Sequence, residues 1–213
     1  MPRTSSESGG TAIHLDEGQL LLRHRQGDAD AFAELVQEYR KPVYSYLFRC
    51  GVPRGDRDDL FQEVFLKVHR SATSYRPDRP LHPWIFTIVA NTVRNHFRRR
   101  RVRRLIFSRP SPRAGSENPT GPAAIEPVDP RPGGDRQAES RQATSFLSIE
   151  IRHLPIEQRQ VLLLACVENL PLKEVARALD VPLNTVKTRL HRARRTLGDA
   201  LSAFRGKPAQ EVP

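Results

Sequence analysis

Cysteine is almost missing from this chain: there are two in 213 residues, Cys50 and Cys166, far apart and in no Cys-x-x-Cys pair. That excludes a disulfide scaffold and a cysteine-built zinc site; both thiols sit among apolar neighbours and read as inert core groups in a reducing compartment. Aromatic residues make up only 7% and all hydrophobic residues 38%. This is little for one large core, so the apolar blocks on either side of a polar stretch are expected to build two small domains of about 60–90 residues each. No apolar run approaches the ~20 residues of a membrane span, and MPRTSSESGG at the start has no apolar signal core, so a cytoplasmic protein without membrane insertion is expected. Strand-like alternation is missing as well, which leaves an all-α fold. The seven histidines show no metal-ligand spacing and no glycine-rich phosphate loop is present, so neither a metal nor a cofactor is expected.

Positive charge is what the chain has in excess, with 35 Lys and Arg against 24 Asp and Glu and a formal charge of +11. The excess is concentrated. Residues 1–95 are nearly balanced, with 13 basic and 12 acidic residues, whereas His96 to Arg104 holds six arginines and no acid, and 143–213 holds 11 basic and 7 acidic residues. Two separate contacts with a polyanion follow from that distribution.

Residues 1–15 are rich in Ser and Gly and read as a disordered tail. From 16 to 104 apolar residues recur at helical steps: Phe32, Leu35, Val36, Tyr39 and Val43, then Leu60, Phe61, Val64, Phe65 and Val68, then Ile85, Ile88, Val89 and Val93. Asp28 can cap the first of these helices, Gly51 to Asp56 breaks the chain, and the prolines of YRPDRPLHP forbid a helix before Trp84. Residues 105–142 carry 7 of the 18 prolines with balanced charge and read as a flexible linker. A second helical domain follows over 143–205, with a short tail over 206–213.

The sharpest motif is NLPLKEVARALDVPLNTVKTRLHRARRTL, Asn169 to Leu197. Two amphipathic segments, about Leu172 to Leu179 and Leu183 to Leu197, are joined by Asp180-Val181-Pro182, the turn length of a helix-turn-helix. Val175, Ala176 and Leu179 should pack against Val186 and Leu190, with Ala176 small enough to let the helices approach. Val186, Leu190, Ala193 and Leu197 share one face, which turns Asn184, Thr185, Lys187, Thr188, His191, Arg192 and Arg195 outward. Amides, hydroxyls and cations in that array suit base edges and phosphates. Asp180 stands where glycine is common, and aspartate tolerates the left-handed backbone the turn needs.

In the first domain, Thr87, Asn91, Arg94, Asn95 and Arg98 fall on one helix face, opposite Ile85, Ile88, Val89 and Val93, and suit a strand with partly unstacked bases. The arginines from Arg98 to Arg104 follow as a phosphate anchor. Trp84 reads as a core residue ahead of a stacking platform. In DDLFQEVFLKVHR, Asp58 to Arg70, the apolar set faces inward and Asp59, Gln62, Glu63 and Lys67 lie on the surface.

These segments resemble the extracytoplasmic-function sigma factors of bacterial RNA polymerase, sigma-70 family, in their short two-domain class. The likeness covers about Asp16 to Arg104 and His153 to Leu201. It implies that residues 16–104 form region 2, which binds core polymerase and reads and melts the −10 element, and that 143–205 form region 4, which reads the −35 element. By the resemblance, Asp59, Gln62 and Glu63 contact core polymerase. Asn91 leads the −10 contacts with Arg94, Asn95, Arg98 and Tyr75, the loop Tyr75 to His82 capturing an unstacked base. Asn184, Thr185, Lys187, Thr188, His191 and Arg192 contact the −35 element. Promoter DNA, core polymerase and an anti-sigma factor are the implied partners, the setting a stress or envelope response, and the location cytoplasmic, on the nucleoid when in holoenzyme.

An enzyme would have to find its chemistry in Asp56, Asp58, Asp59 and Glu63, but no histidine or lysine is tied to them in a catalytic pattern, so no enzyme is expected. The alternative is a conventional helix-turn-helix regulator independent of core polymerase. The second domain cannot separate the two; the first does, since it offers the acidic helix and the Asn91 helix instead of a sensor's pocket or strands.

Overall fold

In the computed structural model the described residues are 11–107 and 135–205, and among them every regular element is helical. The order is α1 (Thr11–Arg25), α2 (Ala29–Arg49), α3 (Arg54–Ser71), a 3-10 turn (Ala72–Ser74), α4 (Leu81–Phe107), α5 (Asp135–His153), α6 (Ile156–Cys166), α7 (Leu172–Leu179) and α8 (Leu183–Arg205). The expected linker lies mostly outside the described residues, although α4 runs three residues into its start and α5 begins within its end. Likewise α1 begins at Thr11, inside the stretch read as a tail.

The helix ends follow local chemistry. Asp28 caps α2, its carboxylate accepting from the Ala31 N–H at 3.0 Å. That bond, with the Arg23 guanidinium at 2.7 Å, holds the Asp28 carboxyl below its ordinary pKa. At the other end of α2, Gly51 takes φ +78° while its N–H bonds to the Phe48 carbonyl and the Val52 N–H reaches back to Leu47. This is the left-handed helix stop that glycine permits. Prolines 53, 155 and 171 stand immediately before α3, α6 and α7, where a fixed φ favours helix entry. Pro83 sits inside the first turn of α4, so the helix starts at Leu81, earlier than the prolines suggested. A first-turn residue has no intrahelical N–H bond to lose.

Helices α1–α4 form one bundle and α5–α8 a second, and the two are docked. The buried residues form one continuous core that runs from Leu20 and Leu35 through Ile85, Phe86, Val89 and Ala90 to Val161, Leu164, Val175 and Leu179. Along the seam α4 packs on α7 and α6, and α2 on α5. Cys50 is buried as expected and burial pushes its thiol up to about 12. Cys166, read as a core thiol, is instead exposed at the end of α6 beside Arg194, because the outer side of that helix faces solvent.

Candidate polymerase and promoter interface

The turn between α7 and α8 is built as the residue pattern requires. Asp180 adopts φ +52°, its N–H bonding to the Arg177 carbonyl and the Val181 N–H to that of Ala176. It is the same left-handed stop that Gly51 provides for α2, made with aspartate. The Thr185 N–H closes the start of α8 on the Pro182 carbonyl at 2.9 Å. Val186, Leu190, Ala193 and Leu197 are buried against Val175, Ala178 and Leu179. Ala176 is half-buried and packed against the core, and Ala178 is fully buried beside it. On the opposite side of α8, Asn184, Lys187, Thr188, His191 and Arg192 are exposed and Thr185 is half-buried. The proposed −35 residues therefore share one open face, with the Thr188 hydroxyl folded back on the Asn184 carbonyl.

The acidic helix α3 divides its polar residues by depth. Asp59 and Gln62 are exposed, and Leu66, 55% exposed, continues the same stripe one turn on. Glu63 is half-buried and engaged: Lys67 Nζ lies 2.7 Å from its Oε1 and Arg99 3.8 Å from its Oε2. Lys67 also donates to the hydroxyl of the buried Thr92 of α4 at 3.0 Å. Asp58 accepts from the Tyr44 hydroxyl at 2.6 Å, which raises the pKa of the phenol.

Along α4, Ile85, Val89 and Val93 are buried and Ile88 half-buried, as its period indicated; Phe86, Ala90 and Thr92 are buried in addition, Phe86 edge-on against Tyr46 of α2, Thr92 against Lys67 of α3, and Ala90 with its carbonyl on Gln160 of the second bundle. Asn91 and Asn95 are half-buried, while Arg94 and Arg98 are exposed. Asn91 Oδ1 accepts from Arg94 Nη2 at 2.7 Å, and Arg94 Nη1 donates to the Leu179 carbonyl at the end of α7. Tyr75 is a core residue: it is 4% exposed, its ring lies 5.5 Å from that of Trp84, and its hydroxyl donates to the Arg79 carbonyl at 2.8 Å. It pins the loop from inside, since a phenol whose ring is needed for packing cannot also stack a base at the surface. Trp84 is half-buried against the core, as its position suggested.

In the arginine run, Arg100 lies 3.3 Å from Asp56 and Arg99 pairs with Glu63, whereas Arg98, Arg101 and Arg103 are exposed and form no ion pair among the described residues. His96, also near Asp56, has its pKa lowered by burial. Among the described residues there is no cluster able to hold a metal ion, and no helix is long and apolar enough to cross a membrane.

Arg159 and Gln160, which no sequence motif marks, are both 2% exposed and join the bundles. Arg159 donates to the carbonyls of Cys50, Arg152 and Leu154, the last at 2.7 Å, and Gln160 Nε2 donates to the Ala90 carbonyl at 2.9 Å.

This arrangement, an acidic-helix bundle carrying a polar α4 face followed by a helix-turn-helix bundle, defines a sigma-70-type protein. Residues 35–103 match the Sigma-70 region 2 family and residues 150–197 match Sigma-70, region 4. The chain is 30% identical over 191 residues to the ECF RNA polymerase sigma-E factor of Escherichia coli (strain K12), covering 86% of this chain and 93% of that protein. It is 31% identical over 209 residues to the ECF RNA polymerase sigma factor SigE of Mycolicibacterium smegmatis, covering 98% and 74%. The chain belongs to the ECF RNA polymerase sigma factors, and as such it directs promoter-specific initiation of transcription. Among solved structures, the fold is similar to CnrH in its complex with the cytosolic domain of CnrY, at TM-score 0.58 and 22% identity over 88% of this chain and 97% of that one. It is also similar to the sigma factor RpoE in complex with the anti-sigma factor NepR from Bartonella quintana, at TM-score 0.59 and 20% identity over 79% and 97%. The match to region 2 removes the independent regulator, which has no use for that domain.

Proposed function

We propose that α3 docks on core polymerase through Asp59 and Gln62, with Leu66 completing the stripe and Glu63 holding α3 against α4. Two exposed hydrogen-bonding residues followed by an exposed leucine on successive turns form a mixed polar and apolar strip of the kind protein interfaces use. Asn91, Arg94, Asn95 and Arg98 read and hold the −10 strand; Tyr75 sets the loop before α4. Asn184, Thr185, Lys187, Thr188, His191 and Arg192 read the −35 element in the major groove, where amide and hydroxyl groups near the start of a helix reach base edges and later cations reach phosphates. The observation that carries this reading is the segregation of the surface: acids and Leu66 on α3, bare cations on α4 and α8.

The chain has no chemistry of its own in this reading; polymerase supplies catalysis and the sigma factor supplies address. An anti-sigma factor, the kind of partner that NepR is to RpoE in the Bartonella quintana complex, is the proposed negative regulator. The chain itself would act in the cytoplasm, on the nucleoid once holoenzyme forms, within a stress or envelope response. The test is run-off transcription on a genomic fragment library with purified bacterial core polymerase. New transcripts with the chain, lost when Asp59 and Gln62 are both changed to Ala, are expected. Unchanged transcription by that double variant would remove the α3 assignment.

A further inference from the structure

The loop before α4 is tied down from behind, and one wall of its seat belongs to a helix outside the matched regions. Tyr75 closes the 3-10 turn, its N–H on the Ala72 carbonyl at 3.2 Å, and its hydroxyl crosses the loop to the Arg79 carbonyl at 2.8 Å. Between those points the Arg79 N–H returns to the Arg76 carbonyl at 3.0 Å, and Arg76 Nε lies 3.3 Å from Asp78 Oδ1. Residues 76–80 are all exposed, so the turn is a displayed tip held on a buried phenol. Trp84 walls one side of that phenol, with the ring centroids 5.5 Å apart. Against the hydroxyl stands Gly18 of α1: a Cβ there would meet Tyr75 Oη at 3.1 Å, tighter than ordinary van der Waals contact.

The rest of α1 makes it a fixed stop. Leu20 and Leu21 are buried in the core, Arg23 pairs with Asp28 at 2.7 Å, and His24 Nε2 lies 2.9 Å from His69 Nδ1 at the end of α3. Glycine within a helix weakens it relative to alanine. Gly27 and Gly51 have a positive φ that accounts for them, but Gly18 does not, so close approach to the Tyr75 hydroxyl is what glycine supplies there. Resting on the reading of Tyr75 to His82 as the loop that captures an unstacked base, we infer that α1 is the backstop of that loop. Gly18 is a positioning residue: its missing side chain lets the Tyr75 hydroxyl reach Arg79, which holds the tip from Arg76 to Pro80 ready for the base. This gives α1, which lies ahead of the region 2 match over 35–103, a task in promoter opening. A tip fixed before the strand arrives has little freedom left to lose on capture, and that favours the open state.

Full-length wild type and variants are combined with core polymerase on a promoter recovered by run-off transcription, as duplex and with its −10 segment premelted by mismatches. Gly18→Ala leaves α1 a better helix former and forces the hydroxyl aside. Opening of the duplex, read by permanganate reactivity, should fall up to about fivefold, equivalent to the ~1 kcal/mol of one neutral hydrogen bond, and further for Gly18→Leu. Tyr75→Phe removes the same bond and should show a similar loss. Gly18→Ala combined with Tyr75→Phe should fall no further than Tyr75→Phe alone, because both act through one hydroxyl. Core binding and −35 binding should not move, and the deficit should shrink on the premelted promoter. Circular dichroism confirms the fold of each variant.

Unchanged opening by both Gly18 variants overturns the backstop. So do multiplying losses in the double variant, an equal deficit on the premelted promoter, or an equal loss of core binding. Arg76→Ala with Asp78→Ala separates the two readings. If that tip variant opens the duplex as wild type does, the loop reading falls and the role of α1 with it; if it is impaired while the Gly18 variants are not, only the role of α1 falls.

Discussion

The arginine run at the end of α4 allows a worked test, because the structure sorts its cations into two groups. Arg99 and Arg100 are partly neutralised by Glu63 and Asp56, while Arg98, Arg101 and Arg103 are bare. A bare cation that neutralises one phosphate releases counterions and contributes about 0.9 to the slope of log affinity against log salt on duplex, about 0.7 on single strands. Changing Arg98, Arg101 and Arg103 together to Ala should therefore lower the slope for holoenzyme on promoter DNA by about 2–3. Between roughly 50 and 200 mM salt, the wild-type affinity should then fall about 20–40-fold more than that of the triple variant. Filter binding or fluorescence anisotropy over a salt series reads this directly, with the Arg99→Ala, Arg100→Ala pair as comparison. If the paired arginines change the slope as much as the bare ones, the sorting by ion pair is irrelevant; if the triple variant leaves it unchanged, the run does not anchor phosphates.

Asn91→Ala should reduce open-complex formation, measured by permanganate reactivity, while core binding stays unchanged; equal loss of both would make Asn91 a structural residue. Lys187→Ala and Arg192→Ala are exposed changes that should leave the melting temperature nearly unmoved, and each lost base contact should cost about 1–3 kcal/mol of discrimination at the −35 element in competition binding. One thiol, Cys166, should react with a neutral-pH disulfide reagent in the native chain and two after unfolding, since the Cys50 pKa of about 12 keeps it protonated as well as buried. Asp180→Gly should raise stability by up to about 1 kcal/mol in thermal melts, because glycine meets less resistance at φ +52°; Asp180→Val should lower it, and the reverse order would show that the turn is held by the aspartate side chain.

The helices were readable because their apolar residues repeat at helical steps, and the limits of α7 follow from the residues that flank it. Its start at Leu172 is set by Pro171 and its stop by the left-handed Asp180. The open face of α8 was likewise legible, since burying Val186, Leu190 and Ala193 leaves the other residues no alternative direction. Periodicity says nothing, however, of which second body covers a helix. Ala90, which lies outside the stripe read on α4, meets Gln160 of the second bundle through its carbonyl. Arg159 and Gln160, polar residues that no sequence pattern singles out, are among the most buried residues of α6. Their partners are main-chain carbonyls up to 109 positions away, and a carbonyl leaves no mark in a sequence. Tyr75 escaped for a related reason: a loop between prolines predicts exposure, while the room beside Trp84 that admits its ring exists only after folding.

Lys67 joins Glu63 of α3 to Thr92 of α4, and Arg99 returns from α4 to the same carboxylate. The surface proposed to grip polymerase and the surface proposed to read the promoter are thus bolted together as one jig, whose angle is fixed by four side chains rather than by the loop between the helices. Anyone retargeting this protein by transplanting a foreign α4 would have to transplant the fastening too: a graft that kept its DNA-facing residues but lost Thr92 or Arg99 would present the right letters at the wrong tilt.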